Sequence, residues 1–121
     1  MDSTAGRILI VDDDAALLRV MDRYLSRLGY RVDACRSAAE AWTLVEANPS
    51  QYAGALVDLN LNMPGMRGEE LARRILDSNA SIRLVVMSGY PTGWSGETLE
   101  GNRVGFLYKP FAPQELADAL K

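Results

Sequence analysis

The sequence contains no histidine and a single cysteine, Cys35. Without histidine, the chain cannot build a histidine-ligated zinc site, a serine–histidine–aspartate triad or a histidine acid–base catalyst. One cysteine cannot form a disulfide within the chain, which is typical of proteins kept in a reducing compartment. We therefore expect cytoplasmic localisation, with Cys35 as a small buried apolar residue.

Long apolar runs are also missing. No segment approaches the about 18 consecutive apolar residues of a membrane-spanning helix, and no signal-peptide pattern opens the chain, so membrane insertion is not expected. The net charge of −3 gives no reason to expect nucleic-acid binding. With 121 residues there is room for one domain, which we expect over residues 7–121 after a loose lead at residues 1–6.

Five short apolar segments alternate with segments of helical periodicity. Runs that are apolar at every position are typical of strands buried on both faces, and their alternation with helices indicates a parallel sheet. Because parallel crossovers are nearly always right-handed, the prediction is a doubly wound, flavodoxin-like α/β fold with helices on both faces and strand order 2-1-3-4-5. The predicted strands are Ile8–Val11, Tyr30–Cys35, Ala53–Asp58, Ile82–Met87 and Val104–Tyr108.

The connection between the fourth and fifth strands gives the weakest helical signal. Residues 93–101 contain three glycines, and each glycine inside a helix costs about 1 kcal/mol relative to alanine. We expect the fourth helix to be short or poorly ordered there. Elsewhere the helix signals are clearer: Ser37 and Glu40 form a capping box, and Pro113 suits the first position of the last helix.

Polar side chains stand where the predicted strands end, at the edge of a doubly wound sheet that binds ligands. They are Asp12, Asp13, Asp58, Ser88 and Lys109. Two like charges about 4 Å apart repel by about 4 kcal/mol at an effective dielectric constant of about 20, so three carboxylates need cations beside them. The lysine supplies one charge, and Mg²⁺, which binds carboxylates, water and phosphate, is suited to supply the rest. A carboxylate in such a site can act as the nucleophile of a phosphoryl transfer.

Four segments, ILIVDDD, ALVDLN, VVMSGYP and FLYKPF, resemble the motifs of the response-regulator receiver domain in order and position. The resemblance extends from Arg7 to Leu120. It implies a domain of a two-component or phosphorelay system that accepts a phosphoryl group and changes a surface in response. It also implies signalling rather than enzymatic turnover, with self-phosphorylation and self-dephosphorylation as the only reactions.

The resemblance assigns an acceptor and a Mg²⁺ site. Asp58 stands at the position of the phosphorylated aspartate. Asp13 would be the main metal ligand, and Asp12 would bind through water or directly. Asp58 and the backbone carbonyl of Asn60 would complete the protein ligands.

The same resemblance assigns phosphoryl contacts and a switch. Ser88 and Lys109 would contact the phosphoryl oxygens, and the Lys109–Pro110 bond would be cis. Ser88 and Phe106 would form the switch that alters the surface around the fourth helix, the fifth strand and the last helix.

The implied partners are proteins. The donor would be a histidine kinase or a histidine phosphotransfer protein, because the chain has no histidine of its own. The receiver of the signal would be a downstream protein or a fused output domain. The chain could then be part of a hybrid histidine kinase or of a longer response regulator.

Plain structural roles compete with these assignments. The run Asp12–Asp14 could cap the following helix, and Asp14 is expected to do only that. Lys109 could be a solvated lysine, Ser88 a turn residue and Phe106 ordinary core. The convergence of several such residues on one sheet edge favours the functional interpretation.

Two other functions remain open from the residues alone. A Mg²⁺-dependent phosphatase of the haloacid-dehalogenase type also uses a strand-end aspartate, but it needs a second aspartate where this chain has Asn60. A flavin-binding module needs a phosphate-binding loop rich in serine, threonine and glycine after the first strand. The aspartates at residues 12–14 would repel a phosphate there unless a metal intervened.

One segment departs from the receiver pattern. The proline that usually follows the acceptor by four residues stands at Pro64, two residues late. We interpret residues 60–68 as a loop with a two-residue insertion beside the site.

Overall fold

A single five-stranded parallel sheet organises the chain, in the order β2-β1-β3-β4-β5. The predicted order and class are therefore confirmed. The computed structural model describes residues 6–61, 65–79, 81–89 and 104–120. The strands are β1 (Arg7–Val11), β2 (Arg31–Cys35), β3 (Tyr52–Asp58), β4 (Arg83–Ser88) and β5 (Val104–Tyr108).

Four α-helices lie within the described residues. They are α1 (Ala15–Arg27), α2 (Ala38–Ala47), α3 (Gly68–Ser78) and α4 (Pro113–Ala119), with a short 3₁₀ turn at Pro49–Gln51. The expected helix over residues 93–101 lies outside the described residues, as do residues 1–5, Pro64 and Tyr90. Among the described helices, none is both long enough and apolar enough to cross a membrane.

The sheet is buried on both faces along β1, β3 and β4, because alternate side chains of these strands enter different cores. Leu9 and Val11 belong to the core under α2 and α3, whereas Ile8 and Ile10 belong to the core under α1 and α4. All four are at most 2% exposed. This two-sided burial explains why the strands read as continuous apolar runs.

Helix ends follow the sequence signals closely. The Asp14 carboxylate accepts hydrogen bonds from the amides of Ala16 and Leu17, so Asp14 caps α1 as predicted. Ser37 accepts from the Glu40 amide at the start of α2. The Glu40 carboxylate accepts from the Arg36 amide, one residue before the cap, so the capping box is shifted by one position. These caps fix where α1 and α2 begin relative to the strand ends.

Helix α3 begins against the end of β3 with no room for a side chain. A Cβ on Gly68 would overlap the carbonyl oxygen of Asp58 and would lie 3.0 Å from the Cα of Leu59. Both neighbours are backbone atoms, which cannot turn aside as a flexible side chain can. Glycine at this position therefore sets the distance between α3 and the strand that carries Asp58.

Gly68→Ala is expected to lower the free energy of unfolding by about 1–3 kcal/mol, the usual cost of overpacking a close contact. Urea denaturation would measure the loss. Gly89→Ala is the matched control, because no described atom lies within 4 Å of a Cβ built there. Equal stability of the two variants would contradict the close approach.

Cys35 at the end of β2 is a buried thiol, 1% exposed, as expected. Burial, together with the negative charges of Glu40 and Asp33, raises the pKa of the Cys35 thiol to about 12. The thiol therefore stays protonated in the folded state at pH values where an exposed cysteine ionises. Since the folded pKa is raised, the associated stability is complete below the unfolded pKa and is lost as the pH rises toward about 12.

Iodoacetamide at about pH 8.5, where half of an exposed thiol is ionised, is expected to alkylate Cys35 slowly in folded protein and rapidly in urea. Intact mass against time gives both rates, and Cys35→Ala shows the background. Equal rates in buffer and in urea would refute the assignment of Cys35 as a buried, protonated thiol.

Candidate functional site

Four strands deliver polar side chains to one edge of the sheet. Asp12 follows β1, Asp58 ends β3, Ser88 ends β4 and Lys109 follows β5. Because the strands are parallel, their carboxyl ends lie side by side, and residues far apart in the chain meet there. The edge borders a cleft of about 310 Å³ lined by Asp12, Asp13, Asp14, Asp58, Asn60, Gly89 and Lys109.

The Lys109 ammonium lies between two buried carboxylates. Its Nζ is 2.7 Å from Oδ2 of Asp12 and 3.2 Å from Oδ2 of Asp58. Asp12 is 0% and Asp58 2% exposed, while the lysine side chain is 24% exposed. The lysine is therefore an ion-pair partner at the site and not a solvated surface residue. Its peptide bond to Pro110 is cis, as the sequence resemblance implies.

Burial and charge shift the pKa values of this pair. Burial is the main reason that the pKa of Asp12 is raised, and the nearby charge of Asp58 adds to it, although hydrogen bonds from Lys109 and from the Asp14 amide oppose the rise. Burial alone would lower the pKa of Lys109, but the hydrogen bonds and charges of Asp12 and Asp58 outweigh it and raise that pKa. The ammonium thus stays charged while it holds the two carboxylates together.

Asp13 adds a third carboxylate to the cluster. One carboxylate oxygen each from Asp12, Asp13 and Asp58 lies within 4.8 Å of the others. Three carboxylates therefore gather beside the Lys109 ammonium at the open side of the cleft. Oxygen donors in this number and spacing suit a hard divalent cation such as Mg²⁺.

Backbone amides hold the two buried carboxylates in place. The amide of Asp14 donates to Oδ1 of Asp12, and the amide of Asn60 donates to Oδ1 of Asp58, both at 2.9 Å. Each aspartate thus accepts from the residue two positions ahead, which is the hydrogen bond of an Asx turn. Since Oδ1 of each carboxylate is bound by an amide and Oδ2 by Lys109, neither side chain rotates without losing a hydrogen bond.

Ser88 and Asn60 are joined directly by their side chains. The buried Ser88 hydroxyl donates to Oδ1 of Asn60 at 2.6 Å. The Ser88 carbonyl accepts from the Lys109 amide at 2.8 Å, which ties the end of β4 to the residue after β5. The sequence interpretation gave Asn60 only a backbone role and missed this contact. The predicted adjacency of the third and fourth strands was a usable signal, because it places the residues after β3 beside the end of β4, where the structure pairs Asp58 with Met87.

Phe106 stands apart from the carboxylates. It is half-buried on β5, where it packs against the core under α2 and α3, and its ring centroid lies 4.5 Å from that of the exposed Tyr108. It is not among the residues that line the cleft. Its assignment as a switch residue stays a prediction.

Comparison with known proteins gives a consistent result. The model of the response regulator receiver domain matches residues 8–121. The chain is 29% identical to chemotaxis protein CheY1 of Helicobacter pylori strain J99, over 95% of this chain and 94% of CheY1. It is 35% identical to the DNA-binding transcriptional regulator NtrC of a Bradyrhizobium species, over 93% of this chain but 23% of NtrC. The chain therefore spans about a quarter of that regulator.

Among solved structures, a response regulator from Burkholderia pseudomallei superposes with a TM-score of 0.81 at 25% identity, over 96% of this chain and 66% of the other. That structure contains a phosphorylated aspartic acid, a calcium ion and citrate. These similarities give no support to the phosphatase alternative. The chain belongs to the response regulator receiver domain family, the receiver domains of two-component signalling.

Proposed function

We propose that this receiver domain takes a phosphoryl group onto Asp58 in a Mg²⁺-dependent reaction. The observation that carries the proposal is the position of Asp58, a buried carboxylate 3.2 Å from the Lys109 ammonium and within a group of three carboxylates at an open cleft. A carboxylate so placed is a nucleophile beside cationic partners, which is the arrangement that phosphoryl transfer requires.

The proposed step forms one bond and breaks one. An oxygen of the Asp58 carboxylate attacks the phosphorus atom of the donor, and the bond from phosphorus to the donor's histidine nitrogen, or to the leaving oxygen of a small acyl phosphate, breaks. The leaving group keeps the electron pair, and a leaving histidine nitrogen takes a proton from solvent. Lys109 stabilises the charge on the transferred group, and Ser88 donates a hydrogen bond to it.

The metal would be held by Asp12, Asp13 and Asp58, with the backbone carbonyl of Asn60 as a further ligand. When bound, Mg²⁺ would offset the negative charge that the phosphoryl oxygens bring to the carboxylate cluster. The Burkholderia pseudomallei regulator, whose structure contains both a phosphorylated aspartic acid and a calcium ion, supports this arrangement by analogy.

The proposed donor is a histidine kinase or a histidine phosphotransfer protein, since this chain contains no histidine. The signal would pass to a downstream protein or to a fused output domain, as the transcriptional regulators among the relatives suggest. DNA contact would then belong to the output domain and not to this one. We also propose a cytoplasmic location. We further propose that the domain does not turn over substrates, because each domain accepts one phosphoryl group and loses it.

The proposed switch follows from the added charge. A phosphoryl group brings roughly 1.5 to 2 negative charges and several acceptor oxygens. Ser88 and Lys109 move toward it, and Phe106 turns inward as the end of β4 shifts. The change reaches the surface around β5 and α4, where a partner reads it.

Incubation with acetyl phosphate and Mg²⁺ is expected to add the mass of one phosphoryl group to the wild-type chain. Asp58→Ala should add none, because the nucleophile is lost. Asp77→Ala, which removes an exposed carboxylate of α3, is the control and should be modified like the wild type. Equal modification of Asp58→Ala would refute Asp58 as the acceptor.

Asp13→Asn is expected to weaken Mg²⁺ binding at least about tenfold, equivalent to about 1.4 kcal/mol. Asp14→Asn removes the same charge from the neighbouring residue and keeps the helix cap, since asparagine caps as well as aspartate. It should change the affinity much less. Calorimetric titration with MgCl₂ measures both, and similar losses in the two variants would argue for a diffuse field effect and against Asp13 as a ligand.

A further inference from the structure

We infer that the side chain of Asn60 is the resting partner of the Ser88 hydroxyl and that it opposes acceptance of a phosphoryl group. The inference rests on the proposed function and adds a role for Asn60 beyond its backbone carbonyl. The observation behind it is the 2.6 Å hydrogen bond from Ser88 Oγ to Asn60 Oδ1.

Ser88 cannot serve Asn60 and a phosphoryl group together. A serine hydroxyl has one proton to donate, and here that proton is directed to Asn60. The residue is 0% exposed, so water does not readily replace a lost partner. Ser88 must therefore leave Asn60 before it can donate to an oxygen on Asp58.

Asn60 is itself fixed to the acceptor. Its amide donates to Asp58 Oδ1 at 2.9 Å, so one residue holds both the nucleophile and the hydroxyl that the product requires. Ser88 in turn is tied to Lys109 through its carbonyl. The bond between the Ser88 and Asn60 side chains therefore closes a chain of contacts from the end of β3 to the residue after β5.

The exchange has a predictable direction. A phosphoryl oxygen is charged and accepts a stronger hydrogen bond than an amide oxygen, so Ser88 transfers once the group is present. The free energy gained when the Ser88 hydroxyl changes partner is reduced by the free energy of its hydrogen bond to Asn60. Removing the Asn60 side chain removes that opposition and leaves the Asn60 amide and carbonyl in place.

The test uses beryllofluoride, which mimics a phosphoryl group on an aspartate, together with Mg²⁺. Asn60→Ala should bind it about two- to tenfold more tightly than the wild type, the range expected for loss of one net hydrogen bond. Asn60→Leu, which keeps the size of the side chain and lacks the acceptor, should do the same.

The effect must pass through Ser88. In a Ser88→Ala background, Asn60→Ala should leave the beryllofluoride affinity unchanged. A gain that persists without the hydroxyl, or weaker binding by Asn60→Ala than by the wild type, would overturn the inference. Weaker binding by Asn60→Ala would mean that the side-chain amide of Asn60 stabilises the bound beryllofluoride.

The hydrogen bond between Asn60 and Ser88 can also be tested in ligand-free protein, independently of beryllofluoride binding. The unfolding free energies of the wild type, the two single variants and the double variant should be non-additive, as expected for residues in contact. Additivity would overturn the resting bond, whatever the ligand does. If the wild type does not bind beryllofluoride in the presence of Mg²⁺, the proposed function is wrong. Non-additive unfolding free energies would then show that Asn60 and Ser88 are in contact, but the role of that contact in opposing the phosphoryl group would be wrong too.

Discussion

The position of one ammonium group governs this sheet edge. Lys109 lies between Asp12 and Asp58, from which it is separated by 97 and 51 positions in the sequence. The two carboxylates have almost no exposure to water, and an ammonium between two such groups offsets the repulsion between like charges. The ammonium that β5 places beside β1 and β3 therefore stabilises the meeting of these two buried carboxylates.

The hydrophobic cores make that delivery possible. Strands β1, β3 and β4 are apolar on both faces, so their positions are fixed by α1 and α4 on one side and by α2 and α3 on the other. A slip of one residue would exchange the two sets of side chains and would expose neither to water. It would, however, move every strand-end residue by one position and would separate Lys109 from its carboxylates. The apolar cores alone specify the register of the strands only weakly, and the polar residues at the strand ends specify it more strongly.

Much of the fold and of the site follows from the sequence. Continuous apolar runs mark the buried strands, and the parallel arrangement places their ends together, so Asp12, Asp58 and Lys109 could be brought to one site without coordinates. The bond between Asn60 and Ser88 was missed because it depends on the path of the loop after β3, which no periodicity reports. The close approach of Gly68 was missed for the same reason, since a glycine in a polar loop is equally typical of a free turn.

The close backbone approach of Gly68 to Asp58 makes the two sides of this site different. On the α3 side, the main chains of Gly68 and Asp58 approach so closely that no Cβ fits between them. On the other side, the Lys109 side chain contacts Asp58 and the Ser88 side chain contacts Asn60, and both side chains have rotamers to exchange. Under the proposed function, a group added to Asp58 would therefore be accommodated toward β4 and β5, and the geometry of the resting domain would set the direction in which the signal travels.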